Sequence, residues 1–334
     1  MSQPLALIAG GAGFVGSVTV RRLLADGWRV RVLDNFLYDQ NSLTALRDDP
    51  RLEVLVGDVS DTHALLHAVR DVDAVVYLAE IVGDVSCARH PALALKTNYL
   101  APTTLAHLAA YYKVPRFVYA SSCSVYGAVP EHAWLTEEDA CDPVSLYGEL
   151  KVRTEQALQA VPGLRPTILR FSTVFGHSPR PRFDLVANLF AHFAHFRQGL
   201  TVFGGGQWRP YAHVQDIARA IACVLAHPQE QVGDQIFNVG DDDANYTIAE
   251  LAARTVEAFP GTRVDVKPRE ARDRRDYRVC FAKLASVTGF RTQHTLDDGL
   301  IELRAALMSG KVAPAIDRRN SNLAALTAKL PPEI

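Results

Sequence analysis

Apolar positions fall in short unbroken runs through the first half of the chain. Leu5–Ala9, Val30–Leu33, Leu52–Val56, Ala74–Ala79, Arg116–Ser121 and Thr167–Arg170 are rich in Val, Ile, Leu and Tyr. Runs that are continuous rather than alternating predict strands covered on both faces, as in a parallel sheet. Between them the apolar spacing turns helical, over Phe14–Ala25, His63–Val69, Pro91–Tyr112 and Ser145–Ala160. Strand, helix and strand repeated in this way predict right-handed crossovers and a doubly wound α/β fold.

After Arg170 the pattern loosens. Pro179, Pro181 and Gly204-Gly205-Gly206 mark loops. Val214–Ala226 has a helical pattern, and Gln235–Val239 reads as a strand that rejoins the main sheet. Thr247–Phe259 and Asp297–Met308 read as further helices. Thr247 with Glu250 makes a capping box, and Pro260-Gly261 ends that helix. From Gly310 onward, with Pro314, Pro331 and Pro332, the chain reads as loosely packed. No internal repeat or low-complexity segment is present.

Composition narrows the class. The 334 residues are 48% hydrophobic and 22% charged, which excludes a disordered or fibrous chain. Thirty-five basic and 37 acidic residues leave a net charge of −2, with no basic patch for nucleic acid or a membrane surface. Five cysteines (Cys87, Cys123, Cys141, Cys223, Cys280), an odd number with no CxxC, read as reduced thiols in the cytoplasm. The uncharged stretch Met1–Val20 lacks a basic start and is broken by glycines, so neither a signal peptide nor a membrane span is expected.

Gly10, Gly13 and Gly16 sit in Gly10-Gly11-Ala12-Gly13-Phe14-Val15-Gly16, between the first strand and the first helix. Gly10 permits a tight turn, Gly13 lets the backbone approach a pyrophosphate, and Gly16 lets helix and strand pack closely. The helix N-terminus then offers free N–H groups to the phosphates. This is the phosphate turn of a Rossmann sheet, and its strand–turn–helix context gives it weight. Asp34 ends the second strand, where a carboxylate accepts both ribose hydroxyls of an adenosine and repels a 2′-phosphate, favouring NAD over NADP. Asp58 ends the third strand, either reaching the adenine or serving as a turn residue.

Tyr147 and Lys151 are four apart on one predicted helix face. A free phenol titrates near 10. A neighbouring ammonium and an oxidised nicotinamide favour the phenolate, making a base able to take a proton from a substrate hydroxyl. Ser121-Ser122-Cys123-Ser124-Val125-Tyr126-Gly127 follows the fifth strand, where parallel sheets bind ligands. Any of its three serines could join the tyrosine by spacing alone.

These segments, with Val32-Leu33-Asp34-Asn35, Tyr77-Leu78-Ala79, Asn98 and Arg209-Pro-Tyr-Ala-His213-Val-Gln-Asp216, occur in an order that resembles the extended short-chain dehydrogenase/reductases that epimerise or dehydrate nucleotide sugars. The resemblance spans about residues 5–290. It implies a dinucleotide-binding domain over 1–170, with 210–240 returning to it. A smaller α/β substrate domain then covers 171–209 and 241–310, and a C-terminal tail 311–334. By position it implies Ser122 as the catalytic hydroxyl, Tyr147 as general base and Lys151 as its partner on the nicotinamide ribose. Phe14, Val15, Asn35, Val59, Leu78 and Ala79 are then brought to the dinucleotide, and Asn98 supports the catalytic helix. Thr173, Asn188 and Arg209 would face the nucleotide diphosphate sugar. Arg272, Arg274, Arg275 and Arg278 form a basic cluster from which one or two would join them, Arg275 and Arg278 being the candidates.

Three departures from the family pattern bear on the reaction. Ala9 replaces a usual Thr before the glycines. Glu80 stands where Ala is usual and is either an acid/base group or a solvated loop carboxylate. Cys123 and Ser124 occupy the positions of the Asp and Glu that 4,6-dehydratases use to eliminate water. Cys123 is then an acid/base thiol or an inert buried one, and Ser124 shares its candidacy. The leading expectation is an NAD-dependent 4-epimerase passing through a 4-keto sugar. The alternative is a 4-keto-sugar reductase or another NAD-linked oxidoreductase or dehydratase. His63/His67 and His192/His195 lack a third ligand in sequence, so no metal is expected. Pro91–Tyr112 and Ser145–Ala160 match the helices of the family's two-fold contact, which implies a homodimer.

Overall fold

The computed structural model describes residues 3–38, 41–128, 134–268 and 275–330. Seven strands form its main sheet: β1 (Leu5–Ala9), β2 (Arg29–Asp34), β3 (Leu52–Val56), β4 (Ala74–Tyr77), β5 (Arg116–Ser122), β6 (Thr167–Phe171) and β7 (Ile236–Val239). Every pairing between them is parallel, in the order β7-β6-β5-β4-β1-β2-β3. All five residues of β1 are buried, as expected for a strand in mid-sheet with helices on both faces.

One face is covered by α1 (Phe14–Ala25); α2 (Leu146–Gln159) helps cover the other, and α3 (Val214–Ala226) packs beside α1. Val20 and Leu23 of α1 and Ile217 and Ile221 of α3 meet Ile8, Val32 and Val118 of the sheet. On the opposite face Leu65, Leu105, Ala109 and Leu158 meet Leu7, Val75, Phe117 and Ile168. Fully burying such side chains contributes about 1.5–3 kcal/mol each.

A second core gathers Phe175, Phe183, Phe190, Leu200, Tyr211, Leu251, Leu300 and Leu303. Its small sheets are local: Thr173–Phe175 pairs with Tyr211–His213, and Gly199–Phe203 with Arg263–Lys267. The capping box on Ile248–Ala258 is present, with Glu250 accepting from the Thr247 amide at 2.7 Å.

Two segments differ from the sequence pattern. Pro91–Tyr112 is not one regular helix; a wide turn over Lys96–Leu100 interrupts it. Such turns add a residue without ending the helix and often mark functional positions. The C-terminal segment is packed rather than loose. Asn320, Ser321, Asn322, Ala325 and Leu326 are buried, and a last helix, α4 (Asn322–Lys329), is capped by Ser321 accepting from the Ala324 amide at 3.1 Å. Among the described residues no helix is long and apolar enough to cross a membrane.

Candidate active site

The strand order reverses on either side of β1, because β2 lies to one side and β4 to the other. Where an open parallel sheet reverses, the loops at the strand ends diverge and leave a crevice. A cavity sits there, lined by Gly10, Gly13, Phe14, Val15, Gly16, Asp34, Asn35, Asp58, Val59, Leu78 and Ala79. The sequence assigned each of these to the dinucleotide.

Local geometry explains the glycines. Gly10 has φ of +83°, and a Cβ there would lie 2.6 Å from the Ala79 amide nitrogen. A Cβ on Gly16 would lie 2.1 Å from the Gly10 carbonyl oxygen. Helix α1 begins at Gly13 with no side-chain cap and no acidic residue in its first turn, so its N–H groups meet the cleft uncapped. That end suits a diphosphate. The Asp34 carboxylate accepts from the amides of Ala12 at 3.0 Å and Phe36 at 2.9 Å. Burial pushes its pKa up against those two bonds. Asn35 donates to Asp58 at 2.7 Å. Burial acts to raise the Asp58 carboxyl, but hydrogen bonds from Ser60 and Asn35 outweigh it and hold the group low. These residues fit NAD: an uncapped helix end for the diphosphate and a fixed carboxylate for a ribose.

Glu80 lines the cavity and contacts Lys151, whereas Asn98, Ser122, Tyr147 and Lys151, expected at the dinucleotide or the reacting sugar, are not part of that lining. Ser145 caps α2, in which Tyr147 and Lys151 lie one turn apart on the same face. Lys151 is 1% exposed; its ammonium contacts the Glu80 carboxylate and the Ala120 carbonyl. It also lies 4.7 Å from the Tyr119 ring centre and 5.7 Å from that of Tyr147. Tyr119 donates to Glu80 at 3.2 Å. Tyr147 is buried, and the Ser122 hydroxyl acts to favour its phenolate form.

The three serines differ in what their hydroxyls meet. Ser121 contacts Glu155, which is held by Arg170 at 2.7 Å. Ser124 faces Ser122 at 3.1 Å between hydroxyls. Of the three, Ser122 is the one whose hydroxyl acts to lower the Tyr147 pKa.

Electrostatics around Tyr147 differ from the expectation of a phenol favoured as phenolate by Lys151. Burial holds the Tyr147 phenol well above its ordinary value, and the Glu80 carboxylate adds to this. Burial also pushes Glu80 up and Lys151 down, while their contact opposes both shifts. Glu80 is therefore no solvated loop group; it takes up the ammonium the phenol would otherwise use.

Asn98 sits in the wide turn. Its side chain accepts from the Ile81 amide at 2.9 Å and donates to the Ile81 carbonyl at 2.8 Å, while its own carbonyl accepts from Thr154 of α2 at 2.8 Å. It thus ties the β4 loop to the catalytic helix. Cys123 turns away from the cavity: its thiol donates to the Arg170 carbonyl at 3.4 Å inside an apolar cluster, and burial raises its pKa.

The substrate candidates are scattered. Thr173 opens a short strand paired with Tyr211. Asn188 spends its amide on Gly176, accepting at 3.0 Å and donating at 3.2 Å. Arg209 donates to the carbonyls of Trp208 and Arg275 at 2.7 and 2.6 Å. Arg275 lies 3.5 Å from Asp84. Arg278 is 5.1 Å from the ring centres of both Trp134 and Trp208. Arg272 and Arg274 lie outside the described residues. Among those described, no group of three or more His, Cys, Asp or Glu could hold a metal ion.

The sequence reading missed further residues that line the cavity, among them Tyr38, Arg180, Arg182 and Asn322. The run Pro179-Arg-Pro-Arg-Phe-Asp184 was the available signal, two arginines held at fixed spacing by prolines.

Comparisons with known proteins agree with this geometry. The chain is 27% identical over 318 residues to the UDP-glucose 4-epimerase of Lacticaseibacillus casei, covering 88% of this chain and 94% of that one. It is 28% identical over 310 residues to the dTDP-glucose 4,6-dehydratase of Streptomyces niveus, covering 89% and 90%. The crystal structure of Thermus thermophilus UDP-glucose 4-epimerase complexed with NAD matches with a TM-score of 0.78 at 27% identity, covering 92% of this chain and all of that one. The family model for the NAD dependent epimerase/dehydratase family matches residues 6–240. A doubly wound sheet, a glycine turn with its strand-end aspartate, and Ser122, Tyr147 and Lys151 thus fall within that match, and the chain belongs to the NAD dependent epimerase/dehydratase family.

Proposed function

We propose that the protein is a 4-epimerase of a nucleotide diphosphate sugar. One observation carries the choice among reactions. Where the sequence pattern of a 4,6-dehydratase has an acid pair, this chain has Cys123 and Ser124; the Cys123 thiol is buried away from the cleft and Ser124 is a neutral hydroxyl beside Ser122. Elimination of water needs an acid and a base at those positions. Epimerisation needs only a group that takes the 4-hydroxyl proton and gives it back.

NAD, when bound, supplies the acceptor and later donor of the C4 hydrogen with its electron pair. The rest is done by side chains. Ser122 aligns the sugar hydroxyl with the Tyr147 oxygen. Tyr147 accepts the hydroxyl proton, leaving a 4-keto sugar. The ketone turns over while the diphosphate stays anchored, and Tyr147 returns the proton to the oxygen on the other face. Lys151 fixes the Tyr147 environment and, once a ribose hydroxyl competes for its ammonium, favours the phenolate. Burial of the pair keeps water from the ketone.

A second reading rests on Glu80. A carboxylate lining the cleft, in contact with Lys151, could remove a carbon-bound proton next to the ketone, as a dehydratase or reductase with added acid/base chemistry would require. The test is a panel of UDP-, GDP-, dTDP- and CDP-sugars deuterated at C4. The 4-epimerase interconverts C4 epimers without added cofactor and keeps the label. Loss of label, consumption of external NAD(P)H, or release of a 6-deoxy ketone refutes that assignment.

Two further features support a cytoplasmic homodimer. The five cysteines are all free. Leu95, Leu100 and Tyr111 are 45%, 48% and 77% exposed along the stretch expected to form the two-fold contact. Sedimentation at micromolar concentration tests the dimer.

A further inference from the structure

Two polar groups in the dinucleotide cleft are buried without a complete set of partners. Arg180 is 2% exposed; one of its terminal nitrogens donates to the Pro181 carbonyl at 2.9 Å, while Nε and Nη2 meet no acceptor among the described residues. Asn322 is 6% exposed, and its side-chain carbonyl meets no donor among them. Both line the cavity with Gly13, Phe14 and Asp34. Buried donors and acceptors are almost always satisfied, so two unsatisfied groups in one cavity call for a ligand that offers an acceptor to one and a donor to the other.

The nearby carboxylates do not fill the need. Asp184 is held by Arg182 at 3.1 and 3.0 Å, and Asp34 takes the amides of Ala12 and Phe36. The guanidinium is stacked 5.0 Å from the Tyr38 ring centre, and burial together with Arg182 brings its pKa down to about 10, still charged at neutrality. A buried cation beside an uncapped helix end makes one positive pole of the cleft.

The frame around these groups is fixed. Ser178 donates to the Phe14 carbonyl at 2.7 Å and so ties the arginine loop to the first turn of α1. The Phe183 amide donates to the Asn320 carbonyl at 2.7 Å, and the Asn322 amide donates to Asp184 at 3.0 Å. Leu326 of α4 is fully buried with Ile81, Tyr147 and Leu150. The unsatisfied atoms are therefore held in place by the fold, which is preorganisation for a ligand rather than slack.

We infer that residues 178–184 and 320–326 form a second clamp on the dinucleotide, in which Arg180 donates Nε and Nη2 to an oxygen of its diphosphate and the Asn322 carbonyl accepts from a ribose hydroxyl. The clamp rests on the cleft being the NAD site, and not on the sugar chemistry. Two N–H bonds from a cation to a phosphate place Arg180 among the strong contacts. The C-terminal segment, far from the glycine turn in sequence, thereby becomes part of the cofactor site.

The experiment measures NAD binding to Arg180→Gln, Arg180→Lys and Asn322→Ala by calorimetry, adenosine binding by competition, and the melting temperature of each protein stripped of nucleotide. For Arg180→Gln the dissociation constant for NAD rises at least tenfold, while adenosine, which has no phosphate, changes less than twofold. Arg180→Lys recovers part of the loss, because it restores charge without the fork. Asn322→Ala weakens NAD about threefold to tenfold. None of the three lowers the melting temperature of the stripped protein, since the atoms that make the clamp have no partner there. NAD affinity unchanged in Arg180→Gln overturns the inference. So does an equal loss for adenosine, or a stripped protein several degrees less stable with its NAD-induced gain intact, which is the signature of a structural arginine. Failure of the unmutated protein to bind NAD would instead remove the cofactor site itself.

Discussion

Replacing Glu80 with glutamine removes one negative charge beside the catalytic phenol and keeps the side chain's shape. The Lys151 ammonium contacts Glu80 and lies 5.7 Å from the Tyr147 ring centre. At a separation of about 7 Å, a unit charge at an effective dielectric constant near 20 is worth about 2 kcal/mol, or between one and two pH units. The direction follows from the signs. A carboxylate disfavours the phenolate, and burial, Cys87 and Asp84 push the same way. The Ser122 hydroxyl acts against them. In Glu80→Gln the ammonium is no longer neutralised, and both changes favour phenolate. The phenolate of Tyr147 is read as ultraviolet difference absorbance against Tyr147→Phe in the same background, with NAD bound. In Glu80→Gln its titration moves down by about one to two pH units. The alkaline-side rise of kcat/KM moves with it once a substrate is in hand. A titration that stays put, or moves up, refutes the assignment of Glu80 as the group that tempers Tyr147.

The structure sets three more expectations. Glu155→Ala leaves Arg170 as a buried cation whose carboxylate partner is gone, and it costs roughly 3–5 kcal/mol of stability, read by urea unfolding; the same substitution unfastens Ser121 and so disturbs the loop that carries Ser122. Gly16→Ala puts a methyl 2.1 Å from the Gly10 carbonyl and forces α1 off β1, so NAD retained on purification falls at least tenfold. Asn98→Ala cuts the two bonds to Ile81, and the Ile81 amide and carbonyl lose their side-chain partners; the melting temperature drops and kcat falls more than KM rises, because the β4 loop and α2 lose their link.

Much of this was legible in the residues. A strand buried on both faces announces itself as an unbroken apolar run, and β1 and α1 begin and end where the pattern says; β3 keeps its bounds but, as the edge strand, is not covered on both faces, with Val54 and Val56 exposed. The glycine turn is legible because only glycine fits, as the contacts at Gly10 and Gly16 show. What escaped was long-range. Arg180 and Asn322 are 142 positions apart and lie in a loop and a capped tail, where no period marks a buried face. The wide turn at Lys96–Leu100 escaped because it keeps the helical spacing of apolar residues on both sides while resetting the direction of Asn98. Asn188 shows the reverse case: its position resembles that of a diphosphate ligand, yet both atoms of its amide hold the backbone of Gly176. Glu80 was marked as unusual from the sequence, but its partnership with Lys151 depends on β4 and β5 lying side by side over α2.

The most direct test compares Tyr147→Phe with the unmutated protein, each purified with NAD bound and each given the nucleotide diphosphate sugar that the panel selects. Loss of one hydroxyl, with NAD content and melting temperature unchanged, should slow interconversion of the C4 epimers by a factor of about 10² to 10⁴. Interconversion at the original rate in Tyr147→Phe would contradict the account, because the phenol would then not be the group that takes the proton.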